Sequence, residues 1–147
     1  MSTPEYLPPA RRSGHLPTDL RLVCMRISRR NRFESQTDVP PHLFGVLAGI
    51  EQGASNAAEL CERERVGAPT MSRAIAALAE AGWIERTDDP DDGRRTLLAL
   101  TPEGTQTLAT IRAARDEWMA RRLEPLSAEE IATLEAALPI LDRLAQS

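Results

Sequence analysis

The chain has 147 residues, 41% hydrophobic and 27% charged, which suits a single globular domain with a core of its own. Aromatics are only 3% and all 18 basic residues are arginine, so the core must be aliphatic, and Schiff-base, P-loop-lysine and SxxK chemistry are excluded. The net charge is −4, and no run approaches the roughly 18 apolar residues of a membrane span, so a cytoplasmic protein with no membrane partner is expected.

Charge is unevenly spread. Residues 1–34 carry seven arginines against three acids, whereas residues 51–100 carry six against ten. No broad basic face is present, so any nucleic-acid contact must come from a few placed arginines and helix ends. The two cysteines, Cys24 and Cys61, form no CxxC or CxH pattern. GxSxG, HExxH and Gly-rich phosphate loops are missing, so no enzyme, metal or cofactor is expected.

Residues 1–16 hold Pro4, Pro8, Pro9, Ser13 and Gly14 without periodicity and read as a flexible arm that starts without a signal-peptide core. Over 17–33, Leu20, Val23, Cys24 and Ile27 recur at helical spacing, with Thr18 or Asp19 as the expected cap. Residues 39–53 predict a second helix, prolines at its start and Gly53 at its stop. A short helix over 55–66 takes Ser55 as cap and turns Leu60 and Cys61 inward. A fourth, over 67–84, carries the stripe Met71, Ala74, Ile75, Leu78 and ends at Gly82.

Two strands, 83–87 and 96–101, flank the loop within "DPDDGRRTLLALTPEG". A long helix follows over 101–123, capped by Thr101 with Pro102 first, its inner face Leu108, Ile111, Arg115 and Trp118. The last helix, 127–146, opens with a capping box, Ser127 and Glu130, and a staple, Leu126 and Ile131; Pro139 is expected to kink it.

Two short helices on a tight turn, then a hairpin, spell a helix-turn-helix with a wing. The outward face of the fourth helix is Pro69, Thr70, Arg73, Ala76 and Ala77, with Ser72 at its edge. Small residues permit close approach to a major groove, Thr70 and Ser72 can bond phosphates or base edges, and Arg73 can fork onto guanine. An ordinary amphipathic helix with a solvated face carries the same pattern. The loop fails as a calcium site, since the twelfth position counted from Asp88 is Ala99 where a bidentate glutamate is needed. It is either a solvated turn or a wing whose Arg94 or Arg95 enters a minor groove. Asp92 is placed to hold the Arg94 guanidinium in a bidentate pair.

The run "DGRRTLLALTPEG" resembles the wing signature of MarR-type winged-helix regulators, and "APTMSRAIAALAEAGWIER" resembles their recognition helix and following strand. Gly67 departs from the serine common at that helix cap. The resemblance implies a mainly α fold with a small β-hairpin wing, a winged helix-turn-helix over 37–100 and a helical dimerisation region over 17–36 and 101–147. It implies a homodimer on double-stranded DNA at a pseudo-palindromic operator, groove-facing residues Pro69, Thr70, Ser72 and Arg73, and wing residues Asp92, Arg94 and Arg95. Relatives respond to small aromatic acids, and some to cysteine oxidation. This points to a small aromatic effector near Met25, His42, Arg115 and Trp118, and draws attention to Cys24. The acidic balance favours one competing reading, a winged-helix protein-interaction module without DNA binding.

Overall fold

The computed structural model describes residues 12–35 and 37–146; the first eleven residues of the expected arm lie outside the described residues. The elements are α1 (Leu16–Glu34), α2 (Pro41–Glu51), α3 (Ala57–Glu64), α4 (Ala68–Glu80), β1 (Ile84–Asp88), β2 (Thr96–Leu100), α5 (Pro102–Leu123) and α6 (Ala128–Gln146). The fold is mainly α with one antiparallel hairpin, paired from Ile84↔Leu100 to Asp88↔Thr96.

One aliphatic core joins α2, α3, α4, the hairpin and the start of α5. Leu47, Leu60, Leu78 and Leu108 are fully enclosed, with Val46, Met71, Ile75, Ile84 and Leu98 around them. The hairpin is stitched to the start of α3 as well, because the Leu98 N–H donates to the Ser55 carbonyl at 2.8 Å. The outer helices differ: neither α1 nor α6 buries a single residue. Cys24 is exposed and Cys61 half-buried, so the first cysteine is not packed in this chain.

Helix starts follow local hydrogen bonding. Thr101 caps α5 by accepting from the Gly104 N–H at 3.0 Å, with Pro102 in the first turn. Ser127 and Glu130 form the reciprocal box at the head of α6, their bonds 2.8 and 3.2 Å, and that helix continues through Pro139.

Two expected caps are corrected. The cap of α3 is Asn56, whose side chain accepts from Glu59 N–H at 3.1 Å; Ser55 sits one residue earlier and donates to the Glu59 carboxylate. At α1 the cap position is His15, without a side-chain bond. The helix begins early enough to place Thr18 and Asp19 inside its first turn, where Asp19 accepts from the Ser13 N–H and hydroxyl at 2.9 and 2.8 Å.

Gly104 has a steric reason. A Cβ there would lie 1.9 Å from the Trp83 carbonyl oxygen, a backbone atom that cannot swing away. A Cβ at Gly93, in the wing loop, would meet nothing within 4 Å beyond its chain neighbours. Gly104→Ala is therefore expected to destabilise the fold by about 1–3 kcal/mol or more, as overpacking does, while Gly93→Ala leaves the thermal midpoint near the parent value. Equal midpoints for the two variants would contradict this packing.

Candidate nucleic-acid interface

Helix α4 divides its residues cleanly. Met71, Ala74, Ile75 and Leu78 are buried at positions i, i+3, i+4 and i+7, which fixes the helix rotation. Pro69, Thr70, Ser72 and Arg73 are thereby all exposed, along with Ala76 and Ala77. Gly67 caps the helix with no side-chain acceptor, leaving the first-turn N–H groups unclaimed by any cap side chain. Arg73 makes no ion pair among the described residues.

The wing loop is held by its acids. Asp89 Oδ1 accepts from the Asp91 N–H at 2.9 Å, and Asp92 Oδ1 accepts from the Arg94 N–H at 3.1 Å. The Arg95 N–H donates to the Asp92 carbonyl at 2.9 Å and the Asp89 N–H to the Arg95 carbonyl at 3.0 Å. The expected bidentate Asp92–Arg94 side-chain pair is not formed. A carboxylate two residues ahead of an N–H closes an Asx turn, and that local bond takes the acid. The Arg94 side chain is left exposed at the tip. Arg95 lies closer to the body: its charge helps hold the Glu59 carboxyl below the usual range, behind the larger effect of the hydrogen bond from the Ser55 backbone.

Between wing and α4 runs a cleft of about 340 Å³ lined by Ala57, Ser72, Ile75, Ala76, Arg86, Thr96 and Leu98. Arg86 enters it because Ile84, Arg86 and Asp88 share one face of β1, and Arg86 pairs with the buried Leu98. Sequence reasoning passed over Arg86. The signal was its two-residue spacing from Ile84, which becomes informative only once the register is known.

Residues 46–104 match the winged helix DNA-binding domain family, from the middle of α2 to the first turn of α5. An HTH-type transcriptional regulator of Mycobacterium bovis is 35% identical over 132 residues, covering 87% of this chain and 91% of that protein. The multiple antibiotic resistance protein MarR of Salmonella typhimurium is 32% identical over 110 residues, covering 74% and 76%. The chain belongs to the MarR family. It is a transcriptional regulator with a winged-helix DNA-binding domain. Solved structures agree: a transcriptional regulator from Pseudomonas aeruginosa superposes at TM-score 0.79, with 33% identity over 95% of this chain and 99% of its own. A mutant MarR from E. coli superposes at 0.74, with 26% identity over 86% and 96%.

The four effector-site candidates of this MarR-family chain do not meet in one cavity. Met25 lies on an open groove of α1 with Leu22 and Phe33, and His42 is exposed in the first turn of α2. Arg115 stacks its guanidinium 3.8 Å over the Phe44 ring and faces a cleft with Cys24, Ile27, Asn31 and Met119. Its Nε is buried with no hydrogen-bond partner, and desolvation pulls its pKa down, helped by the charge of Arg32. Trp118 is buried beside a separate cavity with Ser35, Glu117 and Arg121.

Polar links tie α5 to α2 and to α1. Arg112 forks onto Glu51 at 3.1 and 2.5 Å, joining α5 to α2. Glu34, at the end of α1, accepts from Arg30 at 2.8 Å, from Trp118 Nε1–H at 3.2 Å and from Arg122 at 2.7 Å. Arg122 also covers the indole at 3.5 Å. Among the described residues no helix is long and apolar enough to cross a membrane.

The Arg30 hydrogen bond, then that of Trp118 and the two arginine charges, hold the Glu34 carboxyl below the usual glutamate range despite partial desolvation. A depressed folded-state value means the link is complete above the ordinary glutamate range and is lost as pH falls through the folded value. Acidification through that window is expected to shift Trp118 emission, followed in a Trp83→Phe background, and Glu34→Gln is expected to abolish the step. An unchanged step in Glu34→Gln would show that another group titrates.

Proposed function

We propose that this MarR-family regulator is a cytoplasmic homodimer that reads a pseudo-palindromic operator, acts as a repressor, and is modulated by a small aromatic effector. The observation that carries the reading is a partition of the surface. Every large exposed hydrophobic among the described residues lies on an outer helix: Leu16, Leu22, Val23, Met25, Ile27 and Phe33 on α1, and Leu134, Leu138, Ile140 and Leu144 on α6. The face formed by α4 and the wing exposes none. Apolar stripes left open on two helices call for a covering surface, and a second copy supplies a self-complementary one. In this reading residues 17–36 and 101–147 serve dimerisation and 37–100 serve DNA binding.

In this reading Pro69, Thr70, Ser72 and Arg73 face the major groove, and the bare Arg94 enters the flanking minor groove. Asp92 shapes the turn that presents Arg94, and Arg95 steadies the base of the wing. Arg86, in the cleft between the two reading parts, meets the strand that passes from one groove to the other. Effector binding acts through the α1–α5 clefts that hold Arg115 and Trp118, because the same helices carry the Glu51–Arg112 and Phe44–Arg115 links to the winged helix.

Binding titrations against the preferred duplex test the residue roles. Arg94→Ala is expected to weaken binding well beyond Arg143→Ala, a substitution on exposed α6. Arg73→Ala is expected to relax preference at one position of each half-site, where a good bidentate contact contributes about 1–3 kcal/mol of discrimination. Equal effects of Arg94→Ala and Arg143→Ala would remove the wing assignment. Absence of salt-dependent binding to any duplex would favour the protein-interaction reading that the acidic balance supports.

A further inference from the structure

Arg65 stands out in the backbone. It sits at the C-cap of α3 with φ 55 and ψ 44, the only non-glycine residue with positive φ among the described residues. A side chain in the left-handed region clashes with the following carbonyl, and glycine is the ordinary occupant of such a position. The turn draws no benefit from the arginine side chain. Its closing bonds are main-chain: the Arg65 N–H and the Val66 N–H both donate to the Cys61 carbonyl. Two residues earlier, Arg63 is engaged, donating to Gln52. Arg65 is exposed and makes no side-chain hydrogen bond or ion pair among the described residues.

Its place in the fold supplies the reason. Arg65 lies two residues ahead of Gly67, at the start of the turn that joins α3 to α4. The strand bordering the major groove runs past the N-terminal end of a recognition helix, alongside Pro69 and Thr70. A strained conformation retained where glycine would relieve it points from the backbone to a use for the side chain. We infer that Arg65 is a DNA-positioning residue whose guanidinium holds a phosphate of that strand. Each half-site gains a sequence-independent contact on a domain that is acidic as a whole. The inference rests on α4 being the groove-facing helix.

Strain and contact predict effects of opposite sign. Arg65→Gly is expected to melt at or above the parent temperature, yet to bind both the preferred duplex and a random-sequence duplex roughly tenfold more weakly. The slope of log affinity against log salt is expected to fall by about two per dimer, one phosphate contact being lost at each half-site. Arg65→Asn, which also tolerates the left-handed turn, should behave alike, and Arg65→Lys should keep the slope. Parent affinity and slope in Arg65→Gly would overturn the inference and leave Arg65 as a cationic cap on α3. Arg94→Ala, run in parallel, separates this failure from the broader one: if it too leaves binding unchanged, the assignment of the DNA face itself fails.

Discussion

The junction of α4, the wing and α5 rests on one tight backbone contact. Gly104 lets the first turn of α5 lie against the Trp83 carbonyl, and Thr101 closes the same knot. Its N–H donates to Trp83 O at 3.1 Å and its hydroxyl to Gly82 O at 2.6 Å. Gly82, at φ +77, ends α4 and starts the strand. Four residues therefore set where α4 stops, where the first strand of the wing begins and the second ends, and the direction in which α5 leaves. The long helix then returns to α2 through Glu51–Arg112 and Phe44–Arg115, so α2, the hairpin and α5 form one frame.

The same frame accounts for an acidic chain with a DNA-binding domain. Five of its carboxylates are held by partners close at hand. Asp89 and Asp92 accept backbone N–H groups of the wing loop, Glu59 holds Ser55 at the head of α3, and Glu34 and Glu51 are bound to arginines on α5. Arg73 and Arg94 carry no such partner among the described residues. Net charge governs long-range encounter, whereas affinity for a phosphate backbone follows the few cations that reach it. The acidic loop is thus scaffolding for the arginine it presents.

Much of the fold was legible because its signals are local. The Thr101–Pro102 start, the Ser127/Glu130 box and the Met71–Leu78 stripe depend only on neighbours a turn away, and each stands where the pattern put it. Legibility failed where neighbours compete. Asn56 and Ser55 can each cap α3, and Asn56 takes the role while the Ser55 carbonyl goes to Leu98 on the wing. Asp92 can bond either a guanidinium or an N–H, and the nearer group wins. Arg86 was hidden because a strand register, not a spacing, turns it into the cleft. The four effector candidates share helices yet face different clefts, which periodicity along a helix cannot resolve. Arg65 differs from its charged neighbours in "CERERV" only by its backbone angle, which no sequence pattern carries.

On the proposed function, two copies of this chain present paired recognition helices to one duplex. Selection of a randomised duplex pool by the purified protein near physiological salt, followed by sequencing, tests it most directly. A dimeric reader enriches an inverted repeat whose half-sites lie about one helical turn apart. Recovery of a single unpaired half-site, or of no enriched sequence at all, would contradict it.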